Sequence, residues 1–244
     1  MRKGINKKIQ EKTCGLIGEE NVDNFATKRI AILGLGGVGG TALEALVRSG
    51  FTKFVLVDCD RVEYSNLNRQ ILYSSEDVDL RKVDVAATHL GALTDGVEAN
   101  FVHEKITADN VEEVLGQFRI DFIVDAIDDV KGKVALIKYS KSHNIPIVVS
   151  SGMANRLDPT LIEILPLDKT TDDGLARALR HQCRDAGIDC STVMTIHSKE
   201  HAIIKSETPY AMIMVPSAAG LFICYYIVQY FMNELSDLNN NNGF

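Results

Sequence analysis

Residues 29–60 read RIAILGLGGVGGTALEALVRSGFTKFVLVDCD, and the order of patterns within them decides the fold. A short apolar run, RIAIL, enters a glycine-rich turn. A helical pattern over residues 38–49 follows, with Leu43, Leu46 and Val47 on one side, and then a second apolar run, KFVLVD. Continuous apolar runs of this length are the mark of parallel strands covered on both faces. Gly34, Gly36 and Gly39 make G-x-G-x-x-G between strand and helix, with Gly37 inside the same turn. The first glycine permits a tight turn, the second lets a ligand approach the backbone, and the third lets helix pack on strand. Amides at the helix start then attract phosphate. Asp58 ends the second run, at the distance where a carboxylate holds ribose hydroxyls. These features suit NAD and the adenosine end of ATP equally.

The alternation continues down the chain. The patterns predict a helix over residues 82–93, a strand VEANFVH, a helix capped by Asp109 and reaching residue 118, and a strand DFIVDAID. A helix over 131–142 and a strand IPIVVSSG come next. Strands and helices at this spacing predict an α/β fold, a doubly wound, Rossmann-like and mostly parallel sheet. Its ligand belongs beyond the carboxyl ends of the strands, where Gly34, Asp58, Asp128 and Ser151 all fall. The chain divides into an N-terminal helical segment at 1–28, a nucleotide-binding core at 29–152, an extension of the same domain at 153–236, and a disordered tail at 237–244 around NNNNG. Within the extension, LIEILP and STVMTIH are strand-like, flank a polar helix over 174–186, and continue the sheet.

Composition narrows the class. The 244 residues are 45% hydrophobic and 24% charged, ordinary for a soluble domain with a large core. A net charge of -7 argues against a generally nucleic-acid-binding surface but leaves room for a local basic patch. Five cysteines without a CxxC give neither a disulfide framework nor a zinc site and suit a reducing compartment. Cys183 and Cys190 read as packed thiols. The basic, polar N-terminus lacks the apolar core of a signal peptide, so a cytoplasmic location is expected. The uncharged run AMIMVPSAAGLFICYYIVQYFM could span about 33 Å as a helix, against about 30 Å for a bilayer core. Pro216-Ser217 divides it, so we expect a buried strand and helix and no membrane partner.

The segment DCDRVEYSNLNRQI, with Lys82 beyond it, separates ATP from NAD. A dinucleotide pyrophosphate needs only helix-terminal amides, whereas a triphosphate brings charge that must be neutralised before a carboxylate can attack its α-phosphate. Arg69 can clamp oxygens with its planar fork and Lys82 can supply a point charge. In VDAIDDV, Asp128 is placed on Mg²⁺ and Asp129 at the cap of the following helix.

GLGGVGG, VDCDRVEYSNLNRQ, Lys82 and DAIDD together resemble the ThiF/MoeB/HesA family of adenylating enzymes, over about residues 34–152. The resemblance implies that Gly34, Gly36, Gly37, Gly39, Asp58, Asp60, Asn66, Asn68, Arg69, Lys82 and Asp128 bind ATP, with Asp128 on the metal. Arg69, Lys82 and Asp128 would serve the attack of a carboxylate on the α-phosphate. SGMANRLDPT, LDKTTDDGLARALRHQCRDAGI and MVPSAAGL extend the resemblance to the branch that acts on N6-threonylcarbamoyladenosine in tRNA. That branch activates the threonyl carboxylate and closes it into a ring with loss of water; an intramolecular nucleophile makes such closure fast. The alternative is adenylation of the C-terminal glycine of a ubiquitin-like sulfur carrier, whose activators typically carry paired CxxC motifs. Relatives imply a homodimer and a sulfur-transfer protein partner. The resemblance also implies an N-terminal arginine that reaches the ATP phosphates of the partner subunit; Lys12 stands there, and lysine supplies charge without a bidentate fork. Arg177, Arg180, His181 and Arg184 fall on one face of the predicted polar helix, a stripe suited to tRNA phosphates.

Overall fold

The structure is a computed structural model that describes residues 8–241, apart from 95, 205 and 207. Seven strands form one sheet: β1 (Arg29–Leu33), β2 (Lys53–Val57), β3 (Glu98–Val102), β4 (Phe122–Asp125), β5 (Ile147–Ser150), β6 (Ile162–Pro166) and β7 (Met194–Ser198). Their order is β3-β2-β1-β4-β5-β7-β6. Every neighbouring pair is parallel except β6 and β7, so the mostly parallel, Rossmann-like expectation holds.

The helices are α1 (Glu11–Ile17), α2 (Glu19–Thr27), α3 (Gly37–Arg48), α4 (Lys82–Leu93), α5 (Val111–Leu115), α6 (Val130–Ser142), α7 (Gly174–Asp185) and α8 (Met214–Asn241). Strand alternation sends Ile30, Ile32, Phe54, Leu56, Phe122 and Val124 into one core with residues of α3, α4 and α8. Ala31, Leu33, Val55, Val57 and Ile123 enter the other, with α5 and α6. Each fully buried aliphatic side chain contributes about 1.5–3 kcal/mol, so both faces of β1 and β2 are held by packing. A one-residue slip would exchange the two sets.

Three expectations change. The helix after Asp109 is a single short turn and a half, Val111–Leu115, and Asn110 uses its side chain to accept the Thr107 N–H at 2.8 Å, steadying the turn before it. The run before Pro216 is not a strand. α8 already begins at Met214, and Pro216 sits in its first turn, where its missing N–H has no intrahelical acceptor in any case. The stretch expected as a tail from 237 is helical as far as Asn241; residues 242–244 lie outside those described, as do residues 1–7 of the N-terminal segment.

By length and composition α8 could cross a membrane. Here Val215, Ala219, Ile223, Ile227 and Phe231 recur every four residues and are buried. α8 lies closely on α3: a Cβ added at Gly220 would meet the Val38 carbonyl oxygen at 2.6 Å.

Candidate active site

The strand order reverses between β1 and β4, and their carboxyl ends open a crevice, the usual ligand position in such a sheet. Gly34 leaves β1 with φ 90, and a Cβ there would lie 2.6 Å from the Ala126 carbonyl oxygen. The turn after β1 and the loop after β4 therefore touch through bare backbone, with Ala126 N–H donating to Leu33 O at 2.8 Å. Gly39 meets Gly34 in the same way, since a Cβ would fall 1.8 Å from its carbonyl oxygen.

The crevice holds a cavity of about 260 Å³. Val57, Ile106, Ala126 and Ile127 give it apolar wall; Asp58, Asp60, Arg69, Lys82 and Asp128 give it charge. Asp58 is fixed from both sides: Oδ2 accepts the Leu35 N–H at 2.6 Å and Oδ1 accepts the Asp60 N–H at 2.8 Å. Burial pushes its carboxyl above the usual range, opposed by Lys82 and by these two N–H donors. Each oxygen keeps lone pairs for hydroxyl donors.

Lys82 begins α4 and is 5% exposed. A bridge between Arg61 and Arg81 brings the loop after β2 to that helix start. Lys82 then donates its N–H to Asp60 O at 3.0 Å and its ammonium to Asp60 Oδ2 at 2.8 Å. Burial alone would raise the Asp60 carboxyl, but the hydrogen bond and charge of Lys82 hold it below its ordinary value. A buried ammonium with three donors and one exposed carboxylate partner keeps capacity for a further anion.

Arg69 directs Nη1 to Ser65 O at 2.7 Å and Asn68 Oδ1 at 2.9 Å, which leaves the rest of its fork for a ligand. Asn66 is buried, lines the cavity, and accepts the Glu63 N–H at 3.1 Å, fixing the turn that carries Arg69. Asp128 is exposed and makes no hydrogen bond or ion pair among the described residues, whereas Asp129 caps α6 by accepting the Gly132 N–H at 2.8 Å. Behind this loop Lys133 is fully buried and joins Asp125 Oδ1 at 2.9 Å to Ser150 O at 2.8 Å, tying β4 to β5. The donor set fits a nucleoside triphosphate: a fixed carboxylate for hydroxyls, apolar wall for a base, two cations for phosphate. A free carboxylate at Asp128 is a fitting magnesium ligand beside phosphate oxygens. Asp58, Cys59 and Asp60 also lie close together, but Asp60 already pairs with Lys82.

Of the residues expected on the nucleotide, Gly34, Gly36, Asp58, Asp60, Asn66, Arg69, Lys82 and Asp128 line this cavity. Asn68 does not: its Nδ2 donates to Ala211 O at 2.9 Å and its Oδ1 accepts from Arg69 Nη1 at 2.9 Å. Gly37 and Gly39 serve packing, Gly37 against Arg69 O and Pro216. Gln70, Lys105, Ile106 and Ile127 line the cavity and were not anticipated. The residues after β3 belong there because its carboxyl end borders β2, a placement that follows from strand order and not from composition.

The stripe on α7 is divided. Arg177 and Arg184 are exposed, but Arg180 is half-buried and donates to Thr170 O at 2.8 Å and to Thr170 Oγ1. Through Nη1 it braces the loop before α7, and it is less exposed than Arg177 and Arg184. His181 pairs with Asp185 at 3.0 Å. Lys12 is exposed on α1, and the residues just before it share a small cavity with Gly50–Thr52, at the amino end of β2, away from the crevice.

A family model described as the ThiF family matches residues 10–240. The chain belongs to the ThiF family. This ThiF-family chain is 37% identical over 177 residues to the tRNA threonylcarbamoyladenosine dehydratase of Escherichia coli, an alignment covering 72% of this chain and 66% of that protein. It is 31% identical over 240 residues to the Bacillus subtilis protein of the same name, covering 91% and 92%. Among solved structures, E. coli tRNA N6-threonylcarbamoyladenosine dehydratase, TcdA, in complex with ATP matches with a TM-score of 0.89 at 31% identity, over 95% of this chain and 96% of that one.

Proposed function

We propose that this ThiF-family chain is a tRNA threonylcarbamoyladenosine dehydratase, which uses ATP and Mg²⁺ to activate the threonyl carboxylate of N6-threonylcarbamoyladenosine and close it into a ring. The observation that carries the reading is that Lys82 and Arg69 line one cavity together with Asp128, which has no partner among the described residues. Asp58 would hold the ribose hydroxyls, and Asp128 the magnesium ion. Bound ATP supplies an electrophilic phosphorus and a pyrophosphate leaving group. Arg69 and Lys82 face the charge that grows on the phosphate oxygens as the carboxylate oxygen attacks and pyrophosphate departs. A cation–phosphate contact at about 4 Å is worth on the order of 4 kcal/mol at an effective dielectric of about 20, before desolvation. A nucleophile within the same modified nucleoside then displaces AMP, which carries away the carboxylate oxygen, so the nucleoside loses one water.

Arg177 and Arg184, free on α7, support a proposed contact with tRNA phosphates. A homodimer and docking of a sulfur-transfer protein belong to the same proposal. Leu221 and Tyr225, exposed on α8, are apolar surface suited to a protein neighbour. The reaction runs in the cytoplasm, where ATP and tRNA meet.

The test is incubation with ATP, Mg²⁺ and tRNA bearing the modified nucleoside, followed by mass spectrometry of the nucleosides. Loss of one water is expected, falling about 100- to 1,000-fold in rate in Arg69→Ala, the scale of one lost donor to a transition-state charge. An unchanged nucleoside, together with pyrophosphate exchange stimulated by a small protein with a C-terminal glycine, would replace this reading by sulfur-carrier adenylation.

A further inference from the structure

Asp125 ends β4 and Lys133 lies in α6; both are fully buried, and the chemistry proposed above uses neither. Their ion pair, at 2.9 Å, is satisfied on one side only. Asp125 Oδ1 accepts the Lys133 ammonium and also the Ile127 N–H at 3.3 Å, while Oδ2 is buried without a hydrogen-bond partner. A buried pair so incompletely satisfied adds little to stability, and an apolar pair of similar size would pack there without the desolvation cost. What the pair does fix is position. The same ammonium reaches Ser150 O, at the end of β5, at 2.8 Å. One carboxylate oxygen thus joins the ends of β4 and β5 to the peptide of Ile127, the residue just before Asp128. The rest of that loop is held as well. Ala126 N–H donates to Leu33 O at 2.8 Å, and Asp129 accepts the Gly132 N–H at 2.8 Å. The first turn of α6 presses on it too, since a Cβ added at Gly132 would lie 2.8 Å from Ile127 Cδ1. Asp128 is therefore pinned from both sides, while its own carboxylate lines the cavity without a partner among the described residues.

We propose that Asp125 and Lys133 are positioning residues for Asp128: their buried pair holds the loop 126–129 so that the Asp128 carboxylate meets a magnesium ion on the nucleotide phosphates. The inference rests on the ATP and Mg²⁺ reading of the same crevice. A carboxylate on a loose loop loses backbone freedom when it takes up an ion, whereas a loop already fixed has lost that freedom in folding. The pair suits this task better than apolar residues do. Its hydrogen bonds are directional and set the loop against two strand ends at once. It is also neutral as a whole, so it leaves the charge of the crevice to Asp58, Asp60, Arg69, Lys82 and Asp128. Replacing both partners together therefore alters the position of Asp128 without altering the net charge around it.

The experiment measures ATP binding by calorimetric titration with and without Mg²⁺, and thermal denaturation without nucleotide. It compares wild type, the paired variant Asp125→Val/Lys133→Met, Asp128→Asn, and all three substitutions together. The readout is the factor by which Mg²⁺ tightens ATP binding. In the paired variant that factor is expected to fall about tenfold, the lower end of the loss seen when a residue supporting a metal ligand is removed. Its affinity for ATP without Mg²⁺ stays at the wild-type value. Its melting temperature stays within about 5 °C of wild type, because an apolar pair replaces both charges at once. Asp128→Asn should lose the Mg²⁺ gain, and adding the paired substitutions to it should change nothing further, as expected of residues that act through Asp128. A wild-type Mg²⁺ gain in the paired variant, an equal loss with and without Mg²⁺, or a further loss on top of Asp128→Asn would each overturn the proposal. So would a clearly lower melting temperature, which assigns the pair to the fold. A wild type that binds no ATP, or gains nothing from Mg²⁺, would overturn the reading of the crevice and this inference with it. The expected affinities without any change in tRNA would leave the pair in its role and overturn only the substrate.

Discussion

Lys82, Asp58 and Arg69 were legible as candidate-site residues because chemistry and position agreed: two cations and a carboxylate at strand ends or just beyond, in a chain of net charge -7. Asn68 and Gln70 were not distinguishable by the same means. Both are amides in NLNRQ, and only the path of the turn decides that Asn68 points away to Ala211 while Gln70 points inward. His197 was read as structural, and its surroundings give that role content. It is 1% exposed; Nε2 accepts the Thr171 N–H at 3.3 Å, and Nδ1 faces Ser151 Oγ at 3.1 Å and Asp173 Oδ2 at 3.8 Å. Burial lowers its pKa, with Arg156 and Arg180 acting the same way and Asp173 and Glu163 against them. The folded chain therefore keeps His197 neutral where the unfolded chain begins to protonate, near pH 6.5. Stability is intact above that pH and is lost as pH falls toward the depressed folded value, by at most about 1.4 kcal/mol for each pH unit. Urea midpoints measured from about pH 7.5 to about pH 5.5 should fall less in His197→Asn than in wild type. Equal falls would remove His197 from the account.

At the scale of elements, the strand–turn–helix unit was readable because its glycines have distinct physical duties. The structure separates them into a testable pair. Gly34 combines φ 90 with a contact that leaves no room for a Cβ, 2.6 Å from Ala126 O. Gly36 has φ -76, and its nearest neighbour to an added Cβ is Gln70 Nε2 at 3.8 Å. Gly34→Ala should thus destabilise the protein by about 1–3 kcal/mol or more. Gly36→Ala should leave urea stability within about 0.5 kcal/mol of wild type while weakening ATP binding about tenfold. If both variants lose the same stability, the turn is a folding device and not a cradle. The short α5 and the start of α8 were harder to read. Asn110 turns its side chain back to Thr107, and Pro216 is as compatible with a helix's first turn as with a break before it. Local sequence does not choose between such options; the packing of α8 on α3 does.

For the whole molecule, alternation predicted a doubly wound sheet but not its strand order. That β7 inserts between β5 and β6, and that β6 runs antiparallel, depends on how β6, α7 and β7 pack together on the edge of the sheet. Ser151, expected beside Gly34, Asp58 and Asp128 at the strand ends, does not line the cavity: it is buried, its N–H donating to Ile196 O in β7 at 2.9 Å and its hydroxyl facing His197 Nδ1 at 3.1 Å. A net charge of -7 leaves room for the proposed tRNA contact only as a local basic patch. Arg177 and Arg184 are exposed on α7, where the proposed tRNA contact would lie, while Arg180 is half-buried and holds Thr170, a contact that helical spacing alone does not reveal. The central claim is that this crevice joins a tRNA-borne carboxylate to the α-phosphate of ATP. It is tested most directly by labelling the threonyl carboxylate of the modified tRNA with heavy oxygen and analysing the nucleotides released. AMP carrying one labelled oxygen, with unlabelled pyrophosphate, is the predicted result. Unlabelled AMP, or label appearing in inorganic phosphate, would contradict it.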